Sequence, residues 1–132
     1  MSGSSVRVFP LAVGDRLGAA RFDDQRGSGT GRLAKEGSLD VSVTTLDALP
    51  LPRPPALLKI DIEGGEVAAL QGASDTITLH RPAILVATHG PAEHAAVVDL
   101  LDRWDYATQV LVVGDRSRDT EILALPKASA AV

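Results

Sequence analysis

Two short apolar runs, Ala56 to Ile62 (ALLKIDI) and Ala83 to Ala87 (AILVA), bracket a stretch in which Val67, Leu70, Ala73 and Ile77 recur every three or four residues. That recurrence is the core stripe of one amphipathic helix, and runs of this length suit strands covered on both faces. Parallel neighbours need a crossover, which a helix supplies, so strand, helix and strand with short links describe a βαβ unit. The joints agree with it. Gly64-Gly65 makes a tight turn into the helix, Glu66 stands in its first turn where an acid favours the dipole, and Arg81-Pro82 ends it. Thr88-His89-Gly90 then turns the chain into a second helix, with Pro91 at its first position and Val97, Val98, Leu101 and Trp104 as its stripe. Two more strands, about Thr108 to Val113 and Glu121 to Leu125, flank a polar turn at Gly114 to Asp119 and predict a final antiparallel hairpin.

The N-terminal part is less regular. Val6 to Val13 (VRVFPLAV), closed by Gly14-Asp15, reads as a strand, and Pro10 makes it an edge strand or one that leaves the sheet there. Ala19 to Asp23 alternates weakly, and Val41 and Val43 alternate with Ser42 and Thr44 in a half-buried strand. Between them, residues 24–38 are polar and Gly-rich and are expected to form a flexible loop. Leu46 to Leu49 suits one helical turn, and Pro50, Pro52, Pro54 and Pro55 form a stiff connector. The tail 127–132 is expected to fray. With 132 residues the whole chain, 1–132, reads as a single α/β domain.

Composition removes several classes of function. The absence of cysteine excludes a disulfide scaffold and a cysteine-based zinc site. A net charge of −4 argues against a nucleic-acid binder, which uses a basic patch to displace counterions. No run approaches the ~18 apolar residues of a membrane span. The start, Met1-Ser-Gly-Ser-Ser, has neither the basic nor the apolar part of a signal peptide, so a cytoplasmic location is expected.

In doubly wound sheets ligands bind beyond the carboxyl ends of the strands, which directs attention to two segments. Asp61 and Glu63 are two residues apart at one strand end and therefore share a side, while His89 stands at the next. Where those strands are neighbours, the three converge on one crevice. A carboxylate beside an imidazole raises the imidazole pKa and lets the pair take a proton from a substrate hydroxyl. The same trio is a thin ligand set for a divalent cation, and no metal is expected. A second reading is structural: acids before a Gly-Gly turn cap free N–H groups of a helix, and His89 stabilises its turn. His80 and His94 are expected to be solvated, and Lys59 to snorkel along the sheet. Gly27-Ser28-Gly29-Thr30-Gly31 mimics a nucleotide-binding turn, but no buried strand precedes it and no docked helix follows, so it reads as plain loop.

The segment Leu58 to Ala73, LKIDIEGGEVAALQGA, resembles the signature of the FkbM-type S-adenosylmethionine-dependent methyltransferases: an apolar strand ending in Lys-Ile-Asp-x-Glu-Gly-x-Glu, then Leu-x-Gly-Ala. Leu11 to Asp15 with Gly18 is similar to the family's third strand and turn, Thr45-Leu46-Asp47 to the approach to its fourth, and Arg81-Pro82 with ILVATHG to its fifth. Asp105-Tyr106 stands where the family often has Gly-Tyr, and Ala87 where many members carry Glu. The resemblance implies a Rossmann-like class I methyltransferase sheet ending in an antiparallel hairpin. It implies S-adenosylmethionine as cofactor, bordered at its adenine by Ala12 and Val13, and Asp61, Glu63 and His89 as catalytic residues. The implied acceptor is a hydroxyl on a sugar, lipid or natural product. The family's first two strands, with their glycine-rich turn and ribose-binding acid, have no counterpart, so the domain is expected to be incomplete at its N-terminus. On its own the chain is then not expected to bind S-adenosylmethionine, and unpaired sheet edges would favour oligomers. The alternative is a non-catalytic α/β remnant or a partner-binding fragment.

Overall fold

The computed structural model describes residues 5–23, 32–33, 39–115 and 119–128. Over these residues the chain is mixed α/β with two four-stranded sheets. The first contains β1 (Ala12–Val13), β2 (Gly18–Asp23), β3 (Arg32–Leu33) and β4 (Leu39–Thr44) in the order β1-β4-β2-β3. The second contains β5 (Leu57–Ile60), β6 (Ala83–Thr88), β7 (Tyr106–Val112) and β8 (Thr120–Pro126) in the order β5-β6-β8-β7. Three helices, α1 (Glu66–Gln71), α2 (Ser74–His80) and α3 (Pro91–Arg103), lie between strands of the second sheet along the chain. Among the described residues no helix is long and apolar enough to cross a membrane.

The βαβ unit is present: β5 and β6 pair in parallel, Leu57 opposite Ala83 and Ile60 opposite Val86, with α1 and α2 as the crossover. The expected hairpin is present too, but it folds back so that β8 inserts between β6 and β7, antiparallel to both. Leu70, Ile77, Val97 and Leu101 from the helices meet Ile84, Val86, Ile122 and Tyr106 from the sheet, all at most 1% exposed. The stripes read from the sequence are thus the faces that form the core. Tyr106 is buried without leaving its hydroxyl unpaired, since it donates to Pro82 O at 2.7 Å.

Several expectations are corrected. Of Val6 to Val13 only Ala12–Val13 is strand, paired in parallel with Val43–Thr44, while Val6 and Val8 are 86% and 84% exposed. Pro10 has no N–H to give a ladder, and the chain bends there, Leu11 N donating to Phe9 O at 2.8 Å. β5 lies at the edge of its sheet, so Leu57 is exposed rather than covered on both faces. Arg32–Leu33 pairs with β2 inside the segment expected to be loop, and the rest of 24–38, including Gly27 to Gly31, lies outside the described residues. The expected frayed tail is held at its start by Lys127 N donating to Asp105 O at 2.8 Å, and 129–132 lie outside the described residues.

The single helix expected from Val67 to Ile77 is two. Thr76 N would donate to Gly72 O in an unbroken helix; it donates instead to Asp47 Oδ1 at 2.9 Å, and Asp75 N to Asp47 Oδ2 at 3.0 Å. Asp47 N in turn donates to the freed Gly72 O at 3.0 Å. An acid distant in sequence therefore caps α2 and splits the crossover. Gly72 also lies so close to the β1–β2 turn that a Cβ would stand 2.0 Å from Gly14 O. Gly72→Ala must displace backbone, and a loss of at least about 2 kcal/mol is expected in urea unfolding. Gly18→Ala, whose Cβ would meet nothing within 4 Å, is expected to unfold within ~1 kcal/mol of the parent chain.

Candidate active site

The parallel pairing of β5 and β6 brings their carboxyl ends side by side, which sets Asp61 to Gly65 next to Thr88 to Gly90. After Ile60 the chain must reverse within a few residues to start α1, and it does so through the left-handed region, with φ of 59° at Glu63 and 109° at Gly64. Only glycine adopts the latter angle freely. The reversal leaves the N–H groups of Ile62 and Gly64 pointing inward. Glu66 takes both: Ile62 N donates to its Oε1 and Gly64 N to its Oε2, each at 3.0 Å. Glu66 is wholly buried. Capping of this turn therefore belongs to Glu66, and Asp61 and Glu63 are left to face outward.

They face His89. Its Nε2 lies 2.9 Å from Asp119 Oδ2, 3.3 Å from Glu63 Oε2 and 3.9 Å from Asp61 Oδ1. On the other side Nδ1 lies 3.1 Å from Glu66 Oε1 and 3.7 Å from Glu93 Oε1. Both ring nitrogens are closed to solvent, yet none of these oxygens stands in line with a ring N–H. The main chain of His89 is fixed by its own N–H donating to Glu93 Oε1 at 3.1 Å. Gly90, at φ 91°, then releases the chain into Pro91 and α3. The three residues singled out in the sequence thus meet at one point, as the adjacency of their strands requires.

Glu66, Glu93 and Asp119 complete that point and were not read as site residues. Glu93 carried a signal, an acid four residues after His89 in the first turn of a helix. Asp119 carried none, because it arrives only through the insertion of β8 beside β6. His94, expected in solvent, sits instead with Nδ1 3.0 Å from Thr88 Oγ1, whereas His80 and Lys59 are exposed.

The electrostatics follow from this crowding. Among the described residues Arg and Lys pair with acids elsewhere, at Asp15, Asp40, Asp99 and Asp102. Burial disfavours the charged imidazole of His89, but the combined pull of Glu66, Asp119, Glu63 and Glu93 outweighs it and lifts the pKa above its ordinary 6.5. Glu66 is also raised above 4.5, first by burial and then by its side-chain hydrogen bond to Glu93.

A cavity of about 810 Å³ opens beside the cluster, between the β1–β2 turn and the β5–α1 turn. Ala12, Val13, Gly14 and Asp15 form one wall, and Asp61, Glu63 and Gly64-Gly65 the other. A second hollow of about 570 Å³, lined by Val110, Val113, His94 and Thr88, reaches the cluster from the far side at Asp119. One donor atom from each of Asp61, Glu63, His89 and Asp119 lies within 4.8 Å of the others, a spacing that one divalent cation could bridge.

Both raised groups bind protons more tightly folded than unfolded, so each stabilises the fold at low pH and loses that contribution as pH rises through its folded pKa. The window opens at 4.5 for Glu66 and at 6.5 for His89. In the presence of a chelator the thermal midpoint is expected to fall as pH rises above 6.5, and His89→Gln to fall less steeply there. Parallel slopes in a differential scanning series would remove His89 as the cause.

Comparison with known proteins bears on the fold and the family. No curated protein matches the chain. The crystal structure of the methyltransferase FkbM from Methylobacillus flagellatus KT superposes with a TM-score of 0.61 at 20% identity, over 89% of this chain and 28% of that one. At that identity the likeness is one of fold, and the chain spans little more than a quarter of the matched structure's length. The family model described as the methyltransferase FkbM domain matches residues 5–108, which is most of the chain. By that match the chain belongs to the FkbM methyltransferase family.

Proposed function

We propose that these residues form the acceptor side of an S-adenosylmethionine-dependent O-methyltransferase, with His89 as general base and Asp61 and Glu63 as the carboxylates that serve it. The observation that carries the reading is the meeting of Asp61 and Glu63 with His89 Nε2 at the edge of the larger cavity. The acceptor is a small molecule, sugar or lipid bearing a hydroxyl.

The residues present fit one side of such a cofactor. Leu11, Ala12 and Val13 give the cavity an apolar wall for a purine, and Asp61 and Glu63 bring negative charge to the end where a sulfonium would lie. Gly64 approaches without a Cβ, with open space at that position. A glycine-rich turn between a buried strand and a helix, which would hold the amino acid moiety, is not among the described residues. These residues therefore line one side of such a cofactor site. When bound, that cofactor supplies an electrophilic methyl group.

The protein's task is to make a hydroxyl oxygen nucleophilic. A neutral imidazole at Nε2 accepts the hydroxyl proton as the oxygen attacks, and the imidazolium formed is stabilised by Asp119, Glu63 and Asp61. The raised pKa strengthens the base but leaves it protonated over more of the neutral range. Methyl transfer to a hydroxyl acceptor is therefore expected to rise with pH through a value above 6.5 and then level off.

The test is transfer of labelled methyl by the full-length protein that carries these residues. His89→Gln is expected to lower the rate about a hundredfold and to abolish the rise with pH, and Asp61→Asn to lower it at least about tenfold with the thermal midpoint nearly unchanged. Retained activity with a large loss of stability in Asp61→Asn would return that residue to a structural role.

A further inference from the structure

Three carboxylates converge on one ring nitrogen. Asp119 Oδ2, Glu63 Oε2 and Asp61 Oδ1 stand 2.9, 3.3 and 3.9 Å from His89 Nε2, and one donor atom from each of the four residues lies within 4.8 Å of the others. Hydrogen bonding does not account for this gathering. A ring N–H can serve one acceptor in line, and here it serves none, although Nε2 is closed to solvent. Charge does not account for it either. Among the described residues no Arg or Lys forms an ion pair with these acids, and one imidazolium offsets only one of three like charges. A cation suits the gathering. Four ligands about 2.1 Å from a tetrahedral ion stand about 3.4 Å apart, and the distances from Nε2 to the three oxygens fall on both sides of that value.

We propose that Asp61, Glu63, Asp119 and Nε2 of His89 form a site for one divalent transition-metal ion, with zinc the best fit. The sequence offered three of these ligands, a thin set; Asp119, brought in just before β8, is the fourth. The far side of the ring is no rival. Glu66 and Glu93 also approach His89, but their oxygens already hold the main-chain N–H groups of Ile62, Gly64 and His89. An ion on Nε2 leaves the ring proton on Nδ1, where Glu66 Oε1 stands 3.1 Å away, the kind of outer partner that ligating histidines have. The imidazole favours zinc-like ions over magnesium, which prefers oxygen ligands and keeps its water. Asp61 and Glu63 line the larger cavity and Asp119 the second hollow, so the ion has a route in from solvent. The site goes beyond the reading of His89 as base and does not depend on it. Ion and hydroxyl proton claim the same lone pair, so a bound ion takes His89 out of service as a base.

The test adds zinc chloride alone to the chain after chelator has been removed. Calorimetry is expected to give one-to-one binding with Kd at or below about 10 μM, and magnesium chloride to bind at least about a hundredfold more weakly. In the ¹⁵N-labelled chain one equivalent of zinc is expected to move the Nε2 resonance of His89 and to leave the ring nitrogens of the exposed His80 in place. Asp119→Asn, at a half-exposed position, is expected to weaken binding at least about tenfold, and His80→Gln to leave it unchanged. A zinc Kd above about 100 μM overturns the site, and so does equal affinity for magnesium. Binding undiminished in Asp119→Asn, or an unmoved His89 Nε2, overturns it as well. Each of these failures leaves the methyltransferase reading standing, because that reading is judged by Asp61→Asn and His89→Gln in the transfer assay.

Discussion

The acceptance of two main-chain N–H groups by one buried carboxyl, Glu66, is the interaction on which the site depends. A strand must give way to a helix within a few residues after Ile60, and the reversal strands the amides of Ile62 and Gly64 with no carbonyl in reach. Each such hydrogen bond is worth about 0.5–1.5 kcal/mol. Glu66 satisfies both from α1 itself, which fixes where the helix starts relative to β5. With the turn set, Asp61 and Glu63 are aimed across to the end of β6, and His89 meets them. The cost is a carboxyl out of water, and the rise in its pKa records it.

Around that point the fold works by adjacency. The parallel register of β5 and β6 aligns two strand ends, and the return of β8 beside β6 delivers Asp119 to the same place. The first sheet contributes a wall rather than chemistry: the β1–β2 turn packs against Gly72 and closes one side of the larger cavity with Ala12 and Val13. Gly72 serves two ends at once, since its carbonyl accepts from Asp47 N at the break in the crossover and its missing Cβ admits that turn. The match to the FkbM methyltransferase domain spans both sides of this arrangement, residues 5–108.

How much of this was legible in the sequence differs by the range of the interaction concerned. The βαβ unit and the helix stripes were readable because periodicity reports burial along one element, and the convergence of Asp61, Glu63 and His89 followed from adjacent parallel strands. The break at Gly72 was not readable, because it depends on Asp47, 28 residues away from the amide it caps. The insertion of β8 between β6 and β7 was equally hidden, and Asp119 with it, since alternation says which face is buried and not which strand lies alongside. Glu66 was placed correctly in the first turn of its helix, but its hold on two main-chain N–H groups was not seen. An acid in a first helical turn is ordinarily a partner for the dipole, and only the left-handed angles at Glu63 and Gly64 reveal that two amides point back at it.

The most direct measurement is amide hydrogen exchange at Gly64 and Ile62 in the parent chain. Gly64 lies in an exposed turn outside any helix or strand, so in the absence of a partner its amide would exchange at the rate of an unstructured peptide. With Glu66 holding both N–H groups, exchange at the two positions is expected to be slowed at least about a hundredfold. Exchange at the unprotected rate at both amides would contradict the account, because no carboxyl would then be fixing the turn that aims the site.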